Sequence, residues 1–229
     1  MKNTKPNSTR LFRKARYGTD KFILVQKYKI HYVDAGQGEP IVLIPGSSGS
    51  YRIWNRLIPL LADQFRLLAL DYPPVLAVEK DALQALRGQS DLIALMARQL
   101  NIDKINLIGI GSGGKLAFDV AARYPELAGK IVSILGHLAV PVGKGKAAKK
   151  SAYIEDELKS IRSPILYLYG TRTNEREITL AKNLELLQKH QPRAWIVALE
   201  GGIFETATKN PAEVVNLILD FLKARTNNQ

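Results

Sequence analysis

Residues Ile105–Ile134 read INLIGIGSGGKLAFDVAARYPELAGKIVSI. A short apolar run runs into a turn crowded with glycine, then into a segment that ends at Tyr124-Pro125, then into a second apolar run. The pattern predicts a strand, a tight turn, a helix and another strand, because proline and the residue before it both resist continuing a helix. A continuous apolar run of this length fits a strand buried on both faces.

The same alternation extends outward in both directions. FILVQ (from Phe22) and KIHYVDAG (from Lys29) predict two strands in an antiparallel start. IVLIP (from Ile41), FRLLAL (from Phe65), PILYLYG (from Pro164) and AWIVAL (from Ala194) predict further buried strands. Helical patterns begin near Arg52, Leu86, Gly114, Ala152, Glu175 and Pro211. Strands separated by helices in this way require right-handed crossovers and a mostly parallel central sheet covered by helices on both faces, an α/β fold. Sites in such sheets form at the carboxyl ends of the strands, where loops meet helix N-termini.

With 229 residues, 46% hydrophobic and 24% charged, the chain suits one α/β domain, read here as residues 19–225. Residues 1–18 are polar, basic and without periodicity and are expected to form a mobile arm, with 226–229 as a tail. No stretch approaches the roughly 20 apolar residues of a membrane span, and the N-terminus lacks a secretory pattern, so the expected location is cytoplasmic. There is no cysteine, which excludes disulfides, thiolate nucleophiles and cysteine metal sites. A metal would need His31, His137 or His190 with carboxylates, and none is expected. No cofactor is expected either.

The net charge of +12 is high for an enzyme of small molecules. It concentrates in the arm (Lys2, Lys5, Arg10, Arg13, Lys14, Arg16) and in the loop Gly143 to Lys150, with Lys144, Lys146, Lys149 and Lys150. Neither segment carries interleaved aromatics or a groove-reading motif. They read as a solvated tail and loop, with an acidic macromolecular partner, nucleic acid or an anionic membrane surface as the alternatives.

Taken literally, Gly109, Gly111 and Gly114 match the dinucleotide fingerprint G-x-G-x-x-G. That motif closes the first strand of its unit and needs an acid at the end of the next. Here several strands come first and the next one ends in Gly136-His137. The better match is the nucleophile elbow, G-x-S-x-G, a strained strand-to-helix turn that lifts a serine above the sheet. On this segment, down to its Arg123-Tyr124-Pro125-Glu126 ending, the chain resembles the α/β-hydrolases, and the resemblance covers residues 20 to 225.

Set on that pattern, the nucleophile slot holds Gly111, and serine comes one position later at Ser112. Glycine adopts the positive φ of the elbow almost without cost. Ser112 reads either as a cap for the following helix or as a nucleophile shifted by one residue. The resemblance places the acid after PILYLYG in a G-x-x-D turn. The chain has Gly170-Thr171-Arg172-Thr173, so Thr173 fills the slot. The histidine normally follows the last strand, and in Glu200-Gly201-Gly202-Ile203-Phe204 its slot holds Ile203. The resemblance therefore implies a hydrolase fold without its Ser-Asp-His triad.

The family's H-G after the strand IVLI is here Pro45-Gly46-Ser47-Ser48-Gly49. The backbone N–H groups of Gly46 and Ser47, with Gly111 and Ser112, form a candidate nest for a small anion such as a carboxylate or phosphate. The segment after Asp71 departs from the family's D-x-x-G-x-G turn as Asp71-Tyr72-Pro73-Pro74. Only residues 136 to 163 stand where a helical lid is common, so the lid is expected to be nearly absent, with SAYIEDELKSIR (from Ser151) as a sheet-covering helix. His31 is expected to be half-buried surface, His190 to meet its helix's last carbonyls, and His137 either to face the crevice or to be an ordinary loop residue. The expected function is a non-catalytic hydrolase homologue that binds a ligand or partner. The alternative is an enzyme of unorthodox mechanism using Ser112 or His137.

Overall fold

Along Ile41–Ile44 and Ile105–Ile110 successive side chains point to opposite sides of the strand, so strands that are apolar throughout need cover on both faces. A computed structural model, describing residues 16–71, 82–136, 138–142, 150–172, 177–202 and 210–224, shows that cover in place. Its strands are β1 (Thr19–Val25), β2 (Tyr28–Ala35), β3 (Glu39–Ile44), β4 (Phe65–Leu70), β5 (Ile105–Ile110), β6 (Ala128–Ile134), β7 (Ala139–Val142), β8 (Lys150–Tyr153), β9 (Ile165–Gly170) and β10 (Trp195–Leu199). Its helices are α1 (Ile58–Leu61), α2 (Ala82–Gln99), α3 (Ser112–Arg123), α4 (Glu155–Ser160), α5 (Glu177–His190) and α6 (Pro211–Lys223), with a 3-10 turn at Tyr51–Trp54.

Eight strands form one sheet in the order β1-β2-β4-β3-β5-β6-β9-β10. β1 and β2, and β2 and β4, pair antiparallel, and every other neighbouring pair is parallel. The two-residue period divides the core. Val42, Ile44, Leu107 and Tyr167 pack on one face with residues of α2, α3, α4 and α5. Ile41, Leu43, Ile108 and Leu166 pack on the other with residues of α1 and α6. Burying each such side chain stabilises the fold by about 1.5–3 kcal/mol.

Three expectations are corrected. SAYIEDELKSIR is not one helix: Lys150–Tyr153 forms β8, antiparallel to β7, and only Glu155–Ser160 is helical. The acids Glu155, Asp156 and Glu157 occupy the first turn of α4, where the helix dipole favours them, so the helix starts there and not earlier. The pattern near Arg52 resolves into the 3-10 turn and the four-residue α1, divided around Asn55–Leu57. AWIVAL is not fully buried, because β10 is an edge strand whose side chains alternate poorly against the core and leave Trp195 46% exposed.

Between α2 and α3 lies a buried carboxylate. Asp119 accepts a hydrogen bond from Ser90 Oγ through Oδ2, while its Oδ1 has no partner among the described residues. Arg123 Nη1 stands 3.9 Å away. Burial pushes the Asp119 pKa up, against the lowering influence of Ser90 and Arg123. A carboxyl raised in the folded state stabilises fully below its ordinary pKa of about 3.9 and loses that contribution as pH rises through the folded value. Asp119→Asn is therefore expected to keep or raise the melting temperature at pH 7, with its advantage over the unsubstituted chain growing as pH rises from about 4. Thermal unfolding of both proteins across pH 4 to 8 checks it.

Candidate functional site

The turn at Gly111 has the shape that the sequence predicts. Gly111 takes φ 57° and ψ −120°, a conformation that side-chain-bearing residues rarely adopt. Its N–H donates to Ile134 O at 2.8 Å, tying the turn to β6, and its carbonyl accepts from Gly114 N at 3.0 Å, opening α3. The neighbouring glycines are required by close approach. A Cβ on Gly109 would lie 2.1 Å from Gly113 O, and one on Gly113 would lie 2.3 Å from Ile44 O and 2.5 Å from Pro45 O. A Cβ on Gly111 would meet nothing within 4 Å. The apex of the elbow is open, and the residue occupying it has no side chain.

Gly46 packs directly on this turn, since a Cβ there would lie 2.8 Å from Ile110 O. The loop closes on itself through Gly49 N to Gly46 O at 2.9 Å. Ser47 and Ser112 are both exposed, so the structure brings Gly46 and Gly111 together and leaves the two hydroxyls at the solvent side. Ser112 is not a helix cap: Gly111 is the N-cap residue and Ser112 the first helical residue, with no side-chain cap bond. The N–H groups of Ser112 and Gly113 are among the first four of α3, which have no partner inside a helix.

The loops that carry the other two slots leave adjacent strands side by side. Thr171 N donates to Leu199 O at 2.9 Å, Arg172 N to Gly201 O at 2.9 Å, and Gly201 N to Thr171 Oγ1 at 3.0 Å. Thr173, Ile203 and His137 themselves lie outside the described residues, as do residues 1–15 and 143–149 of the basic segments. The backbone on either side of His137 is held by residues that the sequence did not single out. Tyr167 Oη donates to Gly136 O at 3.0 Å, and Asn183 accepts from Leu138 N at 3.3 Å. Leu135, at φ 49°, is a further strained position at this wall of the crevice.

His31 is corrected from half-buried surface to a buried group, 5% exposed. β2 runs antiparallel to β4, which brings His31 to the carboxyl end of β4 beside Asp71. Nδ1 lies 2.9 Å from Asp71 Oδ2 and Nε2 lies 2.9 Å from Asp20 Oδ1. Asp71 Oδ1 also accepts from Tyr51 N at 2.6 Å, so this network pins the chain where the Gly46–Ser50 loop ends. Burial by itself opposes a charged ring, but the hydrogen bonds to Asp71 and Asp20 and their charges outweigh it and raise the His31 pKa. Two acids so distant in sequence from His31 and from each other gave no signal to find them by. His190 also differs from expectation: its Nε2 lies 2.7 Å from Glu155 Oε1, so it pairs with α4 rather than with its own helix's carbonyls. Among the described residues no group of three His, Cys, Asp or Glu is placed to hold a metal, and no helix is long and apolar enough to cross a membrane.

The family model described as alpha/beta hydrolase fold matches residues 39–152. The chain is 30% identical over 125 residues to a 2-hydroxy-6-oxo-6-phenylhexa-2,4-dienoate hydrolase of Burkholderia cepacia, covering 50% of this chain and 44% of that one. It is 30% identical over 180 residues to a 2-hydroxy-6-oxononadienedioate/2-hydroxy-6-oxononatrienedioate hydrolase of Pseudomonas putida, covering 70% and 62%. The chain thus spans less than two thirds of the length of either relative. The crystal structure of a carboxylesterase from Bacillus subtilis superposes with a TM-score of 0.73 at 15% identity, covering 91% of this chain and 92% of that one. Strand order, elbow and these likenesses agree that the chain has the α/β-hydrolase fold.

Proposed function

We propose that this chain is a hydrolase homologue that does not hydrolyse, and that it works by binding at the crevice its fold retains. The observation that carries this reading is Gly111 at the apex of the elbow, with the shape kept and no hydroxyl to present. Thr173 and Ile203 in the acid and base slots are consistent with it. A serine becomes a useful nucleophile only beside a base, and that base needs an orienting partner. Removing such a triad costs roughly a million-fold in turnover. What the crevice still offers is backbone N–H groups at Gly46, Ser47 and the start of α3, suited to a small carboxylate or phosphate. A macromolecular partner of the basic surface is the other form of the same reading, and a cytoplasmic setting fits both.

The relatives are hydrolases by name, which is in keeping with a second reading, catalysis by Ser112 or His137 through an unorthodox mechanism. Ser112 is one residue past the apex and exposed on the first turn of α3. A single acid or base acting alone contributes only about 10² to 10⁴-fold.

Treatment of the pure protein with a fluorophosphonate, read by intact mass, together with hydrolysis of a short-chain nitrophenyl ester, separates the readings. The expected result is no adduct and no rate above buffer. Stoichiometric labelling and turnover that vanish in Ser112→Ala would overturn the binding reading and make Ser112 the nucleophile.

A further inference from the structure

A second feature lies at the opposite edge of the sheet from Gly111. Each of the four adjacent parallel strands β5, β6, β9 and β10 carries a basic residue within about three positions of its start: Lys104, Arg162 and Arg193 before it and Lys130 just inside it. Parallel strands begin at the same edge and neighbours lie about 4.8 Å apart, so a repeated basic residue at strand entry becomes a row of cations in space. These four residues line one cleft of about 680 Å³, within the roughly 300–1,000 Å³ of small-molecule sites. Among the described residues Glu39 is the sole acid in its lining.

The four cations do not have the same role. Lys130 Nζ donates to Phe221 O at 2.9 Å, Leu222 O at 2.7 Å and Ala224 O at 2.6 Å, capping the C-terminus of α6. Burial lowers its pKa, as expected for a lysine with a structural task. Lys104, Arg162 and Arg193 are exposed and form no ion pair among the described residues. By contrast, Lys21, Arg66, Arg123, Lys159, Lys182 and Lys189 each have a carboxylate within 4 Å. Three cations around one cleft that form no ion pair among the described residues, in like-charge proximity, are an arrangement that an anion would relieve.

The cleft also has an aromatic wall. Trp195 exposes 46% of its surface there and is braced edge-on by Phe221, with ring centroids 5.5 Å apart. The floor is polar and fixed: buried Asn106 accepts from Lys130 N at 2.7 Å, and Gln191 is tied to Ile161 O at 3.1 Å. A braced indole offers a face for a planar ring, and arginines offer forked donors for phosphate. The geometry points to this cleft as a site for a free nucleotide, its base against Trp195 and its phosphates among Arg162, Arg193 and Lys104. The site goes beyond the crevice reading and is independent of it, lying on the amino rather than the carboxyl edge of the sheet.

Trp195 and buried Trp54 are the two tryptophans of the chain, so tryptophan emission reports on the cleft. Titration with ATP is expected to give saturable quenching, with adenosine and inorganic tripolyphosphate each binding at least about tenfold more weakly. Arg162→Gln combined with Arg193→Gln is expected to weaken ATP binding at least about tenfold at unchanged melting temperature, because both residues are exposed and form no ion pair among the described residues. Lys159→Gln, an exposed cation on α4 outside the cleft, is expected to leave it unchanged. Absence of saturable quenching at millimolar ATP, or full affinity in the double variant, would overturn the site. Tripolyphosphate binding as tightly as ATP would overturn the role of the base. A single-stranded oligonucleotide binding far more tightly than ATP, with steep salt dependence, would overturn the free nucleotide as occupant.

Discussion

Gly113→Ala is expected to destabilise the fold by more than about 3 kcal/mol, whereas Gly111→Ala, two residues away, is expected to cost about 1–3 kcal/mol. The two glycines are required for different reasons. At Gly113 the added methyl would lie 2.3 Å from Ile44 O, 2.5 Å from Pro45 O and 2.9 Å from Ile44 C, all backbone atoms at the end of β3. No rotamer change relieves such a contact. Either α3 moves off the sheet or β3 slips against β5, with which it pairs from Ile41↔Asn106 to Ile44↔Gly109. At Gly111 the methyl meets open space, so the penalty comes only from holding φ at 57°. Gly111→Ser should be tolerated on the same ground, and under the proposed function its hydroxyl gains no activity, because the acid and base slots hold Thr173 and Ile203. Urea unfolding of the three variants with a common m-value would establish the order. Equal losses at 111 and 113 would mean that the close approach of α3 to β3 is not what holds the elbow.

His31→Ala is expected to lower stability by about 2–3 kcal/mol at pH 6 and by less at pH 9. His31 bridges two carboxylates through both ring nitrogens, at 2.9 Å each. Only the protonated ring donates to both carboxylates, and the neutral ring donates to one of them at most. The His31 pKa is raised in the folded protein, against the opposition of burial, by Asp71 and Asp20. The sign follows. The contribution is fully present below the ordinary histidine value of about 6.5 and is lost as pH rises through the raised folded value. The stability difference between wild type and His31→Ala should therefore shrink on the alkaline side. A difference flat from pH 5 to 9 would mean that the ring is not charged in the native state. Because Asp71 also holds Tyr51 N at 2.6 Å, the variant should loosen the loop that carries Gly46 and Ser47.

Most of the sheet was legible because each strand is a short apolar run bounded by turn residues, and two-sided burial leaves no ambiguity of face. The glycines of the elbow were legible for a related reason: close approach and positive φ admit almost no other residue. The ribbon of β7 and β8 was missed because Ser151–Tyr153 carries no alternation strong enough to oppose the helical pattern that follows. The exposure of Trp195 was missed because edge and centre strands differ in their neighbours, not in their composition.

For the candidate site, the slots Gly111, Thr173 and Ile203 came from motif framing, and of these the structure describes Gly111. Tyr167 and Asn183, which hold the backbone around His137, are ordinary in sequence and acquire a role only where β9 and α5 meet Gly136. The partnership of Asp20, His31 and Asp71 arises because β2 is antiparallel to both β1 and β4, which sets side by side residues 11 and 40 positions apart.

The sequence by itself determined the alternation of strands and helices, the strained turn at Gly111 and the absence of a side chain at its apex, because these depend on local periodicity and on what glycine alone permits. Only the tertiary structure decided which charges are paired. Whether a lysine or histidine is capped, bridged or left facing a cleft depends on which strands become neighbours, and the order β1-β2-β4-β3-β5-β6-β9-β10 is a property of the packed sheet, written in no single segment of the chain.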